Sequence, residues 1–408
     1  MSEGSLVAPD HERALRRNIP KLMLLNGSWM FLVVIPVVVP FYKSHGLSMQ
    51  EIYWLQSIFA LATVALELPT GYAADLLGRK NSLVVASVFA GLGFTTLARV
   101  SSFEGFVGFE LLMAISVAFF SGSDVALIYE TLERLPHPPE AAMRAMGRKL
   151  FFSQIGETLA SLLGGALVVV SLQLPAQVNA LTGWVPLLVA LSLYEPPSRR
   201  MSRTRHRDNL AHVARSLFAQ GPVLRRVILN LVVYSTATLI AVWAFQAYWR
   251  EIGVPLSRFG VLWALYNLLV AITARFAHRI EGALGFSAVA LTVGVLPVVG
   301  YLLMGTSGGW LGVAAGLTFQ VCRGLGQVVL RDALNTRVPA EIRATANSVA
   351  ALGMRLAFGL VGPLVGFGMD SIGIASTLRI LAAVFAVLLP LVCLPLIRAW
   401  RSEARAST

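Results

Sequence analysis

The chain has 408 residues, of which 56% are hydrophobic and only 13% are charged, and its formal net charge is +12. A water-soluble protein of this length with so few charges would aggregate, so the composition argues against a soluble protein and predicts one that folds in a lipid bilayer. The two cysteines, Cys322 and Cys393, lie in apolar runs and are too few to form a disulfide framework.

Twelve apolar runs are each long enough to cross a membrane, and we number them as spans 1 to 12. They cover residues 21–42, 51–74, 81–98, 105–130, 147–172, 177–194, 226–249, 257–274, 286–304, 309–330, 344–367 and 374–397. This pattern predicts an all-α polytopic membrane protein with twelve transmembrane helices.

The spans fall into two groups of six on either side of a basic stretch. We expect a cytoplasmic N-terminal tail (1–20), an N-terminal six-helix half (21–194), a basic cytoplasmic linker (195–225), a C-terminal six-helix half (226–397) and a cytoplasmic tail (398–408). A weak internal repeat favours two pseudo-symmetric halves, because Gly164 and Gly165 in span 5 correspond to Gly362 and Pro363 in span 11.

The lysines and arginines predict the orientation of the spans. With both termini in the cytoplasm, and with basic residues near the span ends counted with the adjacent segments, 26 of the 33 basic residues fall in cytoplasmic segments, five in external segments and two deep within spans. Basic residues concentrate on the cytoplasmic side of membrane proteins, so this bias predicts a multi-pass protein of the cell inner (cytoplasmic) membrane with both termini inside. Anionic lipid headgroups are the expected partners of these positive loops, and we expect no nucleic-acid partner.

Residues Gly71–Lys80 read Gly-Tyr-Ala-Ala-Asp-Leu-Leu-Gly-Arg-Lys and join spans 2 and 3 in a tight hairpin. Gly71 would let two backbones pack closely, Gly78 would permit a left-handed turn, and Asp75 can face the N-terminus of a neighbouring helix. In its spacing, G-x3-D-x2-G-R-K, and in its place in the chain, the stretch resembles the loop between helices 2 and 3 of the major facilitator superfamily (MFS) of secondary transporters. The family usually has Arg or Lys after the Asp, where this chain has Leu76.

The resemblance implies two six-helix halves that work by alternating access. It also implies a cytoplasmic gate, in which Asp75 faces the start of span 11 near Ala344 and Arg79 meets Glu130. Gly71 and Gly78 would shape the loop that carries this gate. A cluster of solvated surface charges is the alternative interpretation of the same residues.

Span 5 carries a second resemblance, to the glycine-rich pattern of MFS exporters. Its small residues are Gly147, Gly156, Ala160, Ser161, Gly164 and Gly165, where Ala160 and Ser161 replace the Gly-Pro pair of the exporter pattern. A stripe of small residues permits close helix packing, and we expect this one to pack against the opposite half. Ordinary packing without a role in export is the alternative.

Four charged residues lie deep within predicted spans, where an ionised group costs at least about 2.5 kcal/mol. From the helical rise, Asp124 and Arg323 lie roughly 10 Å from the cytoplasmic ends of spans 4 and 10, and Glu157 and Arg355 roughly 15 Å into spans 5 and 11. We expect these residues to couple proton or substrate binding to transport. Glu157 is the first candidate, because Leu111–Ser116 lacks the span 4 arginine that proton-coupled MFS exporters often carry, and Asp124 is the next. The alternative is that each belongs to a static buried pair.

Polar and aromatic side chains in apolar helices tend to face an interior, which makes nine residues candidates for lining a substrate cavity. They are Asn26, Trp29, Gln56, Tyr234, Trp243, Gln246, Tyr266, Asn267 and Gln320. For any one of the aromatic residues, contact with lipid or anchoring at the membrane interface is the alternative.

Other features argue against an enzyme. All six histidines lie in predicted loops or tails, so none is available within a span for a metal or a general base, and no Walker loop for nucleotide phosphates is present. We therefore expect no enzymatic activity, no cofactor and no metal site.

The function expected from the residues and the resemblance is ion-coupled export by a monomer. The substrate would be a small amphiphilic or charged organic compound (a drug, siderophore or metabolite), exchanged for a coupling proton in an antiport cycle. Uptake of a small metabolite is one alternative, and a transport-inactive membrane sensor or scaffold on the same fold is another.

Overall fold

The computed structural model describes residues 9–136, 138, 140–196, 221–339 and 342–406, and the regular structure of these residues is entirely helical. Ten helical stretches of the described residues, some of them containing short breaks, are long and apolar enough to cross a membrane. An eleventh is added if Met49–Glu67 and Pro69–Leu77, which meet at a bend of 53°, form one span. The predicted all-α polytopic fold is confirmed. The count of twelve spans stays a prediction.

We keep the number of each predicted span for the helices that occupy it. In spans 1 to 6 the helices are Pro9–Trp29 and Val38–Ser44, Met49–Leu77, Arg79–Leu97, Phe103–Phe120 and Ser123–Glu133, Ala141–Leu167, and Leu174–Thr182 and Val185–Leu191. In spans 7 to 9 they are Pro222–Glu251, Phe259–Leu284 and Phe286–Thr306. In spans 10 to 12 they are Gly309–Ala315 with Leu317–Leu325 and Arg331–Asn335, Arg343–Ser371, and Ile374–Leu388 with Leu394–Ala406.

The described residues form two compact units. Unit 1 contains the described residues of Met1–Phe41 and Leu61–Met201, and unit 2 those of Tyr42–Ala60 and Ser202–Thr408. Span 2 therefore passes from unit 2 to unit 1 between Ala60 and Leu61. The ranges 21–194 and 226–397 stay predictions for the two halves, and residues 197–220 of the predicted linker lie outside the described part.

Span 1 is not the single helix that its apolar run predicts, because residues 30–34 interrupt it and a short 3₁₀ turn follows at Ile35–Val37. Interrupted backbone is tolerated at membrane depth only where protein groups satisfy its N–H and C=O groups. Asn179 of span 6, which is fully buried, does so here. Its Oδ1 accepts from the Val34 N–H at 2.8 Å, and its Nδ2 donates to the Phe31 carbonyl at 3.0 Å.

Two glycines of the small-residue stripe of span 5 pack against span 1 of their own unit, and the expected packing of this stripe against the opposite half stays a prediction. A Cβ added to Gly156 would lie 2.2 Å from the Gly27 carbonyl oxygen, and one added to Gly164 would lie 2.1 Å from the Val33 carbonyl oxygen. Both contacts are with backbone, so no side chain can move aside to make room. Span 1 offers this open backbone because it has glycine at position 27 and irregular structure at Val33.

Both predicted tails are partly helical, because each packs on the rest of its unit. Span 1 begins at Pro9, and Asn18 exchanges hydrogen bonds with Tyr194 in unit 1, donating to its carbonyl at 2.8 Å and accepting from its N–H at 2.9 Å. The last helix continues to Ala406 in unit 2, where the Trp400 ring stacks on Phe286 at 3.5 Å.

Candidate functional site

The described helix of span 4 is broken near its predicted cytoplasmic third. Phe103–Phe120 ends at Ser121, and Ser123–Glu133 begins after Gly122, whose φ of 83° is strained for any residue other than glycine. Asp124 stands in the first turn of the second helix and is only 2% exposed. The free amides at a helix N-terminus favour an anion there, which lowers the cost of burying this carboxylate.

Lys149 of span 5 is the charged partner of Asp124. Its Nζ lies 2.5 Å from Asp124 Oδ2, and the two side chains are 20% and 3% exposed. A buried carboxylate is tolerated when it is paired in this way, whereas the removal of one partner leaves an uncompensated charge. The pair lies wholly within unit 1.

Sequence reasoning missed Lys149 because the residue lies only two positions after the predicted start of span 5 and was counted with the preceding loop. The helix begins at Ala141, so Lys149 is already two turns inside it. The available signal was its spacing: Lys149 lies seven residues before Gly156 and so on the same helix face as the buried stripe.

Trp29 is a predicted cavity residue that the structure brings near this break. Its ring stacks on Phe120 at 3.8 Å between centroids, and Phe120 is the last residue before the break. Trp29 also ends the first helix of span 1. We call Trp29, Phe120, Gly122, Asp124 and Lys149 the span 4 site.

The structure brings Asp75, Arg79 and Glu130 together. Arg79 Nη2 lies 2.8 Å from Asp75 Oδ1, and Arg79 Nε donates to Glu130 Oε1 at 3.3 Å. All three side chains are partly exposed, so water screens the attraction and its contribution to stability is small. These contacts are consistent both with a cytoplasmic gate and with a cluster of solvated surface charges. The role of these three residues in gating stays a prediction.

Glu195 is a residue of this loop that sequence reasoning assigned only to the linker. Its carboxylate accepts from the N–H groups of Arg79 and Lys80, at 2.8 and 2.5 Å, and so caps the N-terminus of span 3. A Cβ on Gly78 would lie 2.8 Å from Glu195 Oε1, and the φ of Gly78 is 90°. Gly78 is thus needed both for its backbone conformation and for the approach of the cap.

Gly71 does not make the close backbone contact that its place in the motif predicts. A Cβ added there would meet no described atom of unit 1 within 4 Å. The exposed backbone at Gly71 has room for a side chain in this conformation.

The other predicted coupling residues are half-buried and belong to different units. Glu157 is in unit 1, where its carbonyl accepts from Ser161 Oγ at 2.7 Å. Arg323 and Arg355 are in unit 2. Their roles in coupling stay predictions.

The remaining predicted cavity residues are buried or half-buried. Asn26 in unit 1 bonds to the Leu22 carbonyl at 2.9 Å. In unit 2, Tyr266 donates to the Val313 carbonyl at 2.5 Å and packs edge-on against Phe245, so it serves local structure in this conformation. The others in unit 2 are Gln56, Tyr234, Gln246 and Gln320, which are buried, and Trp243 and Asn267, which are half-buried.

No group of three or more His, Cys, Asp or Glu side chains that could hold a metal ion occurs among the described residues. The span 4 site offers a carboxylate, an ammonium group and aromatic rings as its chemical groups. Such groups can bind a proton, a charged organic molecule or an apolar ring.

Apolar helices with broken spans and a buried ion pair are typical of polytopic membrane transporters. The sequence profile of the Major Facilitator Superfamily matches residues 22–330, and the chain belongs to this family. The expected resemblance is thus confirmed. The family and the fold are those of transporters and not of enzymes.

Similar proteins agree with this assignment. An uncharacterised MFS-type transporter of Methanocaldococcus jannaschii is 21% identical over 371 residues, which cover 88% of this chain and 92% of that protein. The crystal structure of a mutant nucleoside transporter has a TM-score of 0.76 at 15% identity and covers 94% of this chain and 99% of its own. The crystal structure of a bacterial homologue of the human lysosomal transporter Spinster, inward-facing and unoccupied, has a TM-score of 0.75 at 16% identity. The match covers 98% of this chain and 99% of that chain. At these identities the solved structures establish the fold alone.

Proposed function

We propose that this MFS transporter works by alternating access and exports a small amphiphilic or charged organic compound in exchange for a proton. In this proposal it acts as a monomer in the cytoplasmic membrane, with both termini inside. The observation that carries the proposal is the buried ion pair between Asp124 and Lys149 at the break in span 4.

A proton and the Lys149 ammonium compete for the same carboxylate of Asp124. When a proton binds, the carboxylate loses its charge and the attraction to Lys149 ends. The lysine side chain is 20% exposed and can then turn to water or to an anionic group of a substrate, whereas Asp124 stays buried. Binding of a proton and binding of a substrate are linked through this exchange of partners.

Glu157 is the second proposed coupling acid, with Arg355 as its partner at similar predicted depth. It remains in the proposal because its helix carries the small-residue pattern that resembles the exporters. Arg323 is proposed to bind a negatively charged group of the substrate. Asp124 is tested first, because the distance to its charged partner Lys149 is known.

The substrate must be identified first. Purified protein would be screened by thermal shift at two pH values against nucleosides, D-xylose, 5-aminolevulinic acid and lipophilic organic cations. A compound that raises the melting temperature at one pH more than at the other binds in a proton-linked manner. Flux of that compound in liposomes then separates a transporter from an inactive scaffold.

The coupling role of Asp124 is tested by Asp124→Asn in liposomes. The variant should lose accumulation driven by a pH gradient and keep exchange of substrate at equal pH within about twofold of wild type. Glu104→Gln is the control, because Glu104 is an exposed acid in the first turn of span 4. Accumulation at the wild-type rate in Asp124→Asn would exclude Asp124 and make Glu157→Gln the next variant.

A static pair makes a different forecast. Lys149→Gln and Asp124→Asn would then each lower the melting temperature, the double variant would recover it, and the double variant would still accumulate substrate against a gradient. The proposed coupling predicts that the recovered double variant does not accumulate substrate.

Uptake is the second candidate function. It is favoured by the D-xylose–proton symporter among the similar solved structures, at a TM-score of 0.63 and 14% identity. The direction of accumulation under an imposed pH gradient in oriented liposomes distinguishes the two. Export predicts that substrate and protons move in opposite directions, and symport predicts the same direction.

A further inference from the structure

One face of span 11 holds the first part of span 2. Phe358, Gly362, Gly366 and Asp370 follow one another every four residues and so lie on a single helix face. The segment Tyr42–Ala60, which contains this first part of span 2, belongs to unit 2 together with span 11.

Asp370 binds the N-terminus of span 2. Its Oδ1 accepts from the Met49 N–H at 3.0 Å and its Oδ2 from the Gln50 N–H at 2.7 Å. Lys43 Nζ lies 3.6 Å from Oδ1. A carboxylate that accepts hydrogen bonds from two backbone N–H groups at a helix N-terminus makes charge-assisted hydrogen bonds. These are among the stronger hydrogen bonds in proteins.

The helix does not need Asp370 in order to begin. Ser48 and Glu51 already form a capping box, in which the Glu51 N–H donates to Ser48 Oγ at 3.1 Å and the Ser48 N–H donates to Glu51 Oε2 at 2.8 Å. The two bonds from Asp370 therefore attach the helix to span 11 and are not its only cap.

Spans 2 and 11 also pack closely along this face of span 11. A Cβ on Gly366 would lie 2.6 Å from the Gln50 Cα, and one on Gly362 would lie 3.2 Å from Ser57 Oγ. Tyr53 is fully buried and donates to the Ile240 carbonyl of span 7 at 2.9 Å.

The sequence around Asp370 repeats the spacing of the loop between spans 2 and 3. Gly366, Asp370 and Gly373 follow G-x3-D-x2-G, as Gly71, Asp75 and Gly78 do. The last glycine of each copy has the same left-handed conformation, with φ of 85° and 90°, and directly precedes the next helix. The chain thus contains this turn twice, once at the predicted cytoplasmic side, after span 2, and once at the predicted external side, after span 11.

We propose that Asp370 is a gating residue of the transport cycle, which holds Tyr42–Ala60 on span 11 in one access state and releases it in the other. The proposal rests on alternating access but not on the direction of transport or on the coupling ion. Span 2 continues into unit 1 at Leu61. Its first part would therefore remain joined to unit 1 through the chain when it leaves span 11.

The test uses Ser57→Cys as a reporter, because Ser57 is fully buried beside Gly362. In full-length protein in liposomes, Asp370→Asn should raise the rate of labelling by a membrane-impermeant maleimide by about tenfold, since charged hydrogen bonds to two amides are lost. Glu104→Gln, a first-turn acid that is likewise at the predicted external end, is the matched control and should leave the rate unchanged. Equal labelling in Asp370→Asn and wild type would overturn the proposal, as would an equal rise in the control.

A second variant keeps the proposal falsifiable if Asp370→Asn folds poorly. Cysteines at 57 and 362 are close enough to be joined by a disulfide. Oxidation of Ser57→Cys/Gly362→Cys should stop net flux of the substrate found by thermal shift, and a reductant should restore it. Full flux in the oxidised protein would show that the segment need not leave span 11. If wild type shows no flux of any compound, the labelling test still decides the role of Asp370, which separates its failure from that of the proposed function.

Discussion

Asn179 illustrates how one side chain permits irregular backbone inside a membrane protein. It is fully buried and satisfies both the Val34 N–H and the Phe31 carbonyl of the interrupted span 1. No water is available at membrane depth to replace these bonds. Asp124 depends in the same way on Lys149. In both cases a buried polar group is tolerated because a residue of another span pairs with it.

Asn179→Leu should destabilise the protein by about 2–5 kcal/mol, because it leaves a backbone donor and an acceptor unsatisfied in an apolar environment. Thermal unfolding in detergent measures this loss. Gln177→Leu is the control, since Gln177 is exposed on the same helix, and it should change the melting temperature little. A similar melting temperature for both variants would contradict the structural role of Asn179.

At the scale of helices, glycines in span 5 differ sharply in what surrounds them. Gly156 faces the Gly27 carbonyl, whereas a Cβ on Gly147 would meet no described atom within 4 Å. The same substitution should therefore have different effects on stability at two positions of one helix. Span 5 lies close to span 1 only as long as the first of these positions has no side chain.

Gly156→Ala should cost about 1–3 kcal/mol of stability, because the methyl group would overlap backbone that cannot move aside. Gly147→Ala should be neutral or gain up to about 1 kcal/mol, since alanine has the higher helix propensity. The melting temperatures of the two variants in one detergent measure the difference. Loss of stability at both positions would show that helix packing is not what distinguishes them.

At the scale of the whole molecule, two copies of one turn motif are proposed to hold opposite access states. Asp75 with Arg79 is the predicted latch at the cytoplasmic end, and Asp370 is the proposed latch at the external end. Because each access state would be stabilised by one latch, their losses should act with opposite sign on the same equilibrium.

Asp75→Asn or Arg79→Ala should therefore shift the population toward the inward-facing state and lower the labelling of Ser57→Cys, whereas Asp370→Asn raises it. The double variant Asp75→Asn/Asp370→Asn should return toward the wild-type rate, since the two shifts oppose each other. Labelling by the impermeant maleimide is measured in all four variants. A change of the labelling rate with the same sign in Asp75→Asn and Asp370→Asn would contradict opposed latches.

The amino-acid sequence by itself determined the features that depend on a single segment. Apolar length predicted the helical membrane fold, and the spacing of Gly71–Lys80 indicated the family. Arg79 meets Asp75 because the two residues are four apart and separated only by a turn. Such features survive whatever the other helices do, since they are set by local geometry.

Only the tertiary structure decided which helix faces meet. The sequence did not show that Gly156 of the span 5 stripe packs on Gly27 of span 1, and it offered no partner for Asp124 within its own unit. It also gave Asp370 no role, although this residue holds the start of a helix more than 300 residues earlier in the chain. Hydrophobic length fixes that a helix exists, whereas its rotation and its breaks, which select its partners, depend on packing against all of its neighbours.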